Sequence, residues 1–79
     1  MSYKDIYYIF IEHESEKCVI RAIKDFGWLL ELFAGKEPLD LNFSYSNKFL
    51  IDDIMDELRT IYDYVEEISF VDIDDYMED

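Results

Sequence analysis

The chain has one cysteine, one proline, one histidine and two glycines in 79 residues. A single cysteine, Cys18, excludes an internal disulfide, whereas a small secreted domain usually carries several. The lone thiol suits a reducing compartment, and its place among strand residues suits a core position. Two glycines cannot supply a Gly-rich loop that cradles phosphate, and the patterns G-x-S-x-G, H-E-x-x-H and C-x-x-C are absent. His13 has no second histidine and no apt cysteine nearby, and it reads as a solvent-exposed residue at a strand end between Glu12 and Glu14. No run approaches the roughly 18 apolar residues of a membrane span. No charge-free apolar stretch follows the N-terminus as in a signal peptide. These absences set the expectation of a cytoplasmic protein, not an enzyme, with no cofactor and no metal.

Positive charge is scarce in one part of the chain only. Residues 1–48 carry eight acidic and six basic side chains, whereas residues 49–79 carry twelve acids and one base, Arg59. Nearly all of the net charge of -13 therefore lies in the last 31 residues. Concentrated like charge costs self-repulsion, which salt relieves. It also repels phosphate and anionic lipid, so neither direct nucleic-acid binding nor a membrane surface is expected.

The chain is nevertheless not composed like a disordered acidic tail. Half of its residues are apolar and 18% are aromatic, enough large side chains to build a core. One small domain spanning residues 1–79 is expected.

Residues Asp5 to His13 read as a strand that is apolar on both faces, so it is either central or meets a partner. Glu14-Ser15-Glu16 is a turn. Lys17 to Ile23 forms a second strand, antiparallel to the first, with Val19, Arg21 and Ile23 on one face and Cys18, Ile20 and Ala22 on the other. Asp25 can cap a short helix over Phe26–Phe33 that ends at Gly35, although Gly27 weakens it. Leu39, Leu41 and Phe43 alternate with polar residues in a short strand over 39–43.

A long helix is expected from Asn47 to Glu67, capped by Ser46 or Asn47. Ile51, Ile54, Met55, Leu58, Ile61, Tyr62 and Val65 share one stripe of it. Ile68–Ile73 reads as a last strand, and Asp74–Asp79 as a frayed acidic tail. The expected fold is α+β, a small antiparallel sheet of three to four strands with two helices on one face, in the order β-β-α-(β)-α-β.

On the long helix, Asp52, Asp56, Asp63 and Glu67 lie together opposite the stripe, flanked by Asp53, Glu57 and Glu66. Asp52–Asp56, Asp53–Glu57 and Asp63–Glu67 are like-charge pairs, each costing ~0.2–0.5 kcal/mol. The macrodipole accounts for acids at the start of the helix and not for those at its end. Carboxylates about 6 Å apart along a helix match a row of phosphates spaced roughly 6–7 Å apart. Tyr64, with Tyr45, Phe49 and Tyr76, can add aromatic anchors. Asp72, Asp74 and Asp75 extend the acidic surface. This segment superficially suggests a calcium loop, but it lacks the central glycine and terminal glutamate of an EF-hand.

The expected binding set is therefore Asp52, Asp53, Asp56, Glu57, Asp63, Tyr64, Glu66, Glu67, Asp72, Asp74 and Asp75. The expected function is a non-enzymatic DNA mimic, an inhibitor that occupies the basic groove of a DNA- or RNA-binding protein. A bacterial virus opposing a host nuclease defence, in the anti-CRISPR or anti-restriction manner, is a setting that suits it. The alternatives are an immunity protein for a nuclease toxin, or a regulatory or assembly subunit that meets a partner, or a second copy as a homodimer, through its sheet.

Overall fold

A computed structural model describes residues 5–38, 41 and 45–77. Seven elements follow in chain order: β1 (Asp5–His13), β2 (Glu16–Lys24), β3 (Gly27–Gly35), β4 (Tyr45–Ser46), α1 (Ile51–Arg59), β5 (Tyr64–Ile68) and α2 (Ile73–Met77). A 3-10 turn, Phe70–Asp72, leads into α2. The strands form one antiparallel sheet in the order β4-β3-β2-β1-β5. The fold is thus α+β, with an antiparallel sheet packed against two helices. No helix among the described residues is long and apolar enough to cross a membrane.

The doubly apolar first strand is central. β1 bonds to β2 on one edge and β5 on the other, and Ile9, Phe10 and Ile11 at its middle are buried on alternate faces. The β1–β2 hairpin closes through Glu14 and Ser15, at φ 53° and 68°. Two left-handed residues give the twist that a two-residue hairpin needs. Neither is glycine or asparagine, so the turn carries strain of about 1–2 kcal/mol per residue. A tertiary contact offsets it: the Glu14 N–H donates to an Asp63 carboxylate oxygen at 3.0 Å.

Three expected elements are replaced. The segment expected as a helix over Phe26–Phe33 is strand β3. Its Trp28 and Leu30 are buried while Leu29 is exposed, a period of two. The helical spacing of Trp28, Leu29, Leu32 and Phe33 competed with that alternation, and pairing with β2 decided between them. Gly35 ends this strand and not a helix. The long helix stops at Arg59, and Tyr64–Ile68 is a strand paired with β1. Thr60, Ile61, Tyr62, Tyr64 and Val65 are β-branched or aromatic and favour a strand, and the Thr60 hydroxyl donates to the Glu57 carbonyl at 2.6 Å where the helix closes. The last strand expected over Ile68–Ile73 is instead the end of β5 at Ile68, the 3-10 turn and the start of α2, so Asp74 and Asp75 belong to a helix and not to a frayed tail. The strand expected over 39–43 lies outside the described residues except for Leu41, which packs on the core.

The helices lie on opposite faces of the sheet and not on one. Ile54, Met55 and Leu58 of α1 pack with Ile9, Ile11, Cys18, Ile20, Ala22, Trp28 and Leu30. Ile73 of α2 packs with Phe10, Val19 and Ile68, which alternate onto the other face, and Tyr76 and Met77 cover its margin. Below, these are the α1 face and the α2 face.

Candidate interaction surface

The acidic residues divide according to this architecture. Neither Ser46 nor Asn47 caps α1; the chain enters the helix at Leu50. Asp53 stabilises that entry, its carboxylate accepting the Leu50 N–H at 2.9 Å. Asp63 is in the turn before β5, where it holds the Glu14 N–H and lies 3.7 Å from Nδ1 of His13. His13 is accordingly half-buried, its ring edge-on to Tyr62 at 5.4 Å, and not the exposed strand end expected. Asp53 and Asp63 therefore have structural work within the chain.

Glu66 and Glu67 are neighbours on β5 and point to opposite faces. Glu66 lies on the α2 face, where Tyr64 and Tyr76 donate their hydroxyls to its Oε2 at 3.0 Å and 2.8 Å. These hydrogen bonds are the leading cause that raises both phenol pKa values. Tyr76 packs on Phe10 at 5.0 Å between ring centres, so it links Glu66 to the core of this face. Asp63 and Glu67 do not form a helical like-charge pair, because neither is in a helix.

Asp52, Asp56 and Glu57 remain on the exposed side of α1, with Arg59 bonded to Asp56 at 3.1 Å. The like-charge spacings Asp52–Asp56 and Asp53–Glu57 fall within this helix. Glu67 shares the α1 face, whereas Asp72, Asp74 and Asp75 are exposed in the 3-10 turn and α2 on the other. Among the described residues, Asp52, Glu57, Glu67, Asp72, Asp74 and Asp75 make no ion pair. The carboxylates are thus two groups on either side of edge strand β5, and not one helical column.

Among the other expected anchors, Tyr64 is exposed and Phe49 is partly exposed beside Tyr45, 5.6 Å between ring centres. The Phe49 carbonyl accepts the Trp28 indole N–H at 3.0 Å, which ties the approach to α1 onto β3. Tyr45 is half-buried; burial raises its pKa, with the nearby Glu57 adding to the effect.

A groove of about 250 Å³ opens beside the β1–β2 turn, with His13, Lys17, Cys18, Lys36 and Glu37 among its lining residues. Lys36 is 3.3 Å from Glu16, so part of its charge is matched locally. Cys18 is in the core as expected, and burial pushes its thiol pKa up to about 11. A thiol so held is a packing group at neutral pH. No group of three or more His, Cys, Asp or Glu able to hold a metal occurs among the described residues.

Sequence reasoning missed one feature. On the α2 face, α2 covers only the half of the sheet around Phe10 and Val19; Ile6, Leu29, Phe33 and Phe70 remain exposed. The signal was present in the doubly apolar β1, but the assignment of Phe70 and Val71 to a strand hid it. Comparison of the chain with protein-family models, curated proteins and solved structures gives no match.

Proposed function

We propose that this chain is a non-enzymatic acidic inhibitor of a basic nucleic-acid-binding protein, its carboxylates taking the positions of phosphates. The observation that carries the reading is the group Asp52, Asp56 and Glu57, exposed on one helix, where among the described residues Arg59 is the cation paired with the group, through Asp56. Asp52 and Asp56 stand about 6 Å apart along the helix, near the spacing of successive phosphates. Glu67 adds charge on the same side of β5, and Asp72, Asp74 and Asp75 add it on the other. A basic groove that closed around this edge would meet carboxylates on both walls. Such a field accelerates encounter, and its effect falls as salt rises.

The test is competition with DNA for basic nucleases, RNA-guided and restriction types included. Asp52→Lys/Asp56→Lys/Glu57→Lys should lose competition by at least ~100-fold, as expected when several close charge pairs become repulsive. Asp53 and Asp63 are left in place because the fold uses them. A reversed variant that competes as well as the parent would falsify phosphate imitation. An immunity protein for a nuclease toxin would pass the same test with its cognate toxin.

A second reading, a regulatory or assembly subunit acting through its sheet, draws support from the open half of the α2 face. Contact through apolar side chains survives high salt, whereas the electrostatic contact weakens steeply.

A further inference from the structure

Strand β5 is an edge of the sheet, and its outer side is open. β1 lies on its inner side, in register from Glu12↔Tyr64 to Tyr8↔Ile68. Among the described residues, nothing hydrogen-bonds to the outer side of the β5 main chain. Alternate N–H and C=O groups of an edge strand face outward and can receive a further strand. The flanking segments leave this edge clear. Before β5, Ile54, Met55 and Leu58 of α1 pack onto the middle of the sheet. After it, Phe70 turns back onto Tyr8 and Phe33, and Ile73 packs with Phe10 and Val19.

Natural edge strands are commonly guarded by proline, lysine or a bulge. The β5 sequence has neither residue, and its pairing with β1 runs without a register shift. Its guard is acid. Glu66 projects to the α2 face and Glu67 to the α1 face, so an added strand meets one carboxylate on each side. Among the described residues neither is paired with a cation. The Tyr64 and Tyr76 hydroxyls hold Glu66 in place without neutralising it. Arg59, the base of residues 49–79, is matched by Asp56. On β3, by contrast, Glu31 is bonded to Arg21.

This charge selects the occupant. Antiparallel pairing of two β5 strands centred on the glutamates sets carboxylate against carboxylate, and directly opposed like charges destabilise. A segment with two adjacent basic residues reverses the sign of that term on both faces.

We propose that β5 accepts an extended basic segment of the partner protein as an added antiparallel strand, with adjacent Lys or Arg residues opposite Glu66 and Glu67. The proposal rests on the proposed function in one respect, that the partner is basic. Main-chain hydrogen bonds supply the affinity, and the two carboxylates select the sequence.

The probe is a blocked Thr/Val peptide of about eight residues with Lys-Arg at its centre. One control carries Glu-Glu at the centre. A second keeps Lys-Arg but is N-methylated at its successive amides, so it has the charge and lacks the donors. Binding to the full chain is read by amide shifts and by hydrogen exchange, with peptide at up to about 1 mM to fill a weak site. Exchange at alternate β5 amides should slow by at least ~10-fold. N-methylation should weaken binding by ~10-fold or more, because several main-chain bonds are lost together. The Glu-Glu peptide should bind at least ~10-fold more weakly, and Glu66→Gln/Glu67→Gln should weaken the Lys-Arg peptide by ~5-fold or more. Glutamine still accepts the two tyrosine hydroxyls, so thermal unfolding should show the fold retained. Asp52→Lys/Asp56→Lys should change binding by less than ~3-fold in high salt, where exposed charges are screened.

Equal binding of the N-methylated peptide would overturn the proposal, since charge alone would then suffice. Unchanged exchange along β5 would overturn it as well. A dimer that protects the β5 amides and that the peptide does not displace would give the edge to a second copy and overturn the proposed occupant. Loss of nuclease competition on α1 reversal with no protection of β5 by the peptide sinks strand addition alone. Protection of β5 with unaltered competition on α1 reversal sinks phosphate imitation alone.

Discussion

Behind α1, Ile9, Ile11, Ile20, Ile54 and Leu58 are sealed from solvent; across the sheet, only Val19 reaches that state, and Leu29, Phe33 and Phe70 stay partly wet. Both faces of the strands are apolar, so the difference lies in what covers them. α1 spans nine residues and buries Ile54, Met55 and Leu58, spaced for one helical stripe. α2 spans five residues and buries Ile73. A five-residue helix is too short to cover a sheet five strands wide. The α1 face is therefore finished as a core, and the α2 face is half core and half surface.

Gly35 is where one substitution should damage both faces at once. Its φ is +88°, and an added Cβ would lie 2.5 Å from the Lys17 carbonyl oxygen, 2.7 Å from Met77 Cε and 2.9 Å from Cys18 Cα. Gly35→Val should cost about 3 kcal/mol or more, because backbone strain and overpacking add. Urea unfolding would measure it. A loss below about 1 kcal/mol would mean that β3 and α2 can separate freely at this end of the sheet.

The next effect compares the faces directly. Leu58→Ala should cost about 3–4 kcal/mol and Ile73→Ala about 2 kcal/mol, since a cavity in a sealed core relaxes less than one beside solvent. Equal losses would break the comparison and make the α2 face as well packed as the other.

The sequence disclosed the two faces unequally for a physical reason. β1 and β2 were legible because β-branched and aromatic residues fill β1, apolar residues run through the middle of β2, and the link between them is two residues long. The helical stripe Ile51, Ile54, Met55, Leu58 was legible because it fits period 3.6. It ran on falsely into Ile61, Tyr62 and Val65, since Tyr62 and Val65 are also buried, from a turn and a strand. Trp28, Leu29, Leu32 and Phe33 fit a helical stripe while Trp28 and Leu30 fit a strand, so only the pairing partner could decide. For the candidate site, the excess of acid was plain and its division by the sheet was not. That division follows from Glu66 and Glu67 occupying a strand, where adjacent side chains part.

Alkaline pH gives a sharper probe of the sealed side. Burial raises the Cys18 thiol from 9.0 to about 11. The folded-state pKa exceeds the unfolded one, so the stability linked to the thiol proton is fully present below pH 9 and is lost as pH rises through about 11. Tyr64 and Tyr76 are raised by their bonds to Glu66 and act in the same direction at high pH. Denaturation midpoints should fall across this window, and Cys18→Ala should remove the thiol's share. An identical fall in parent and variant would assign the whole effect elsewhere. At pH 8 the native thiol should react with an alkylating reagent far more slowly than the urea-unfolded chain.

The smallest effect tests the open half of the α2 face. Leu29 is the most exposed side chain of its cross-strand row, and its neighbours Ile23 and Ile6 are only partly covered. Leu29→Ser should change stability by no more than about 0.5 kcal/mol, the usual range for surface positions. Ile20→Ser, on the neighbouring strand but facing α1, should cost several times more because it places a hydroxyl in a sealed apolar site. A loss above about 2 kcal/mol for Leu29→Ser would show that the open half of the α2 face is packed in the free protein, and the contrast between the two faces would then be one of degree.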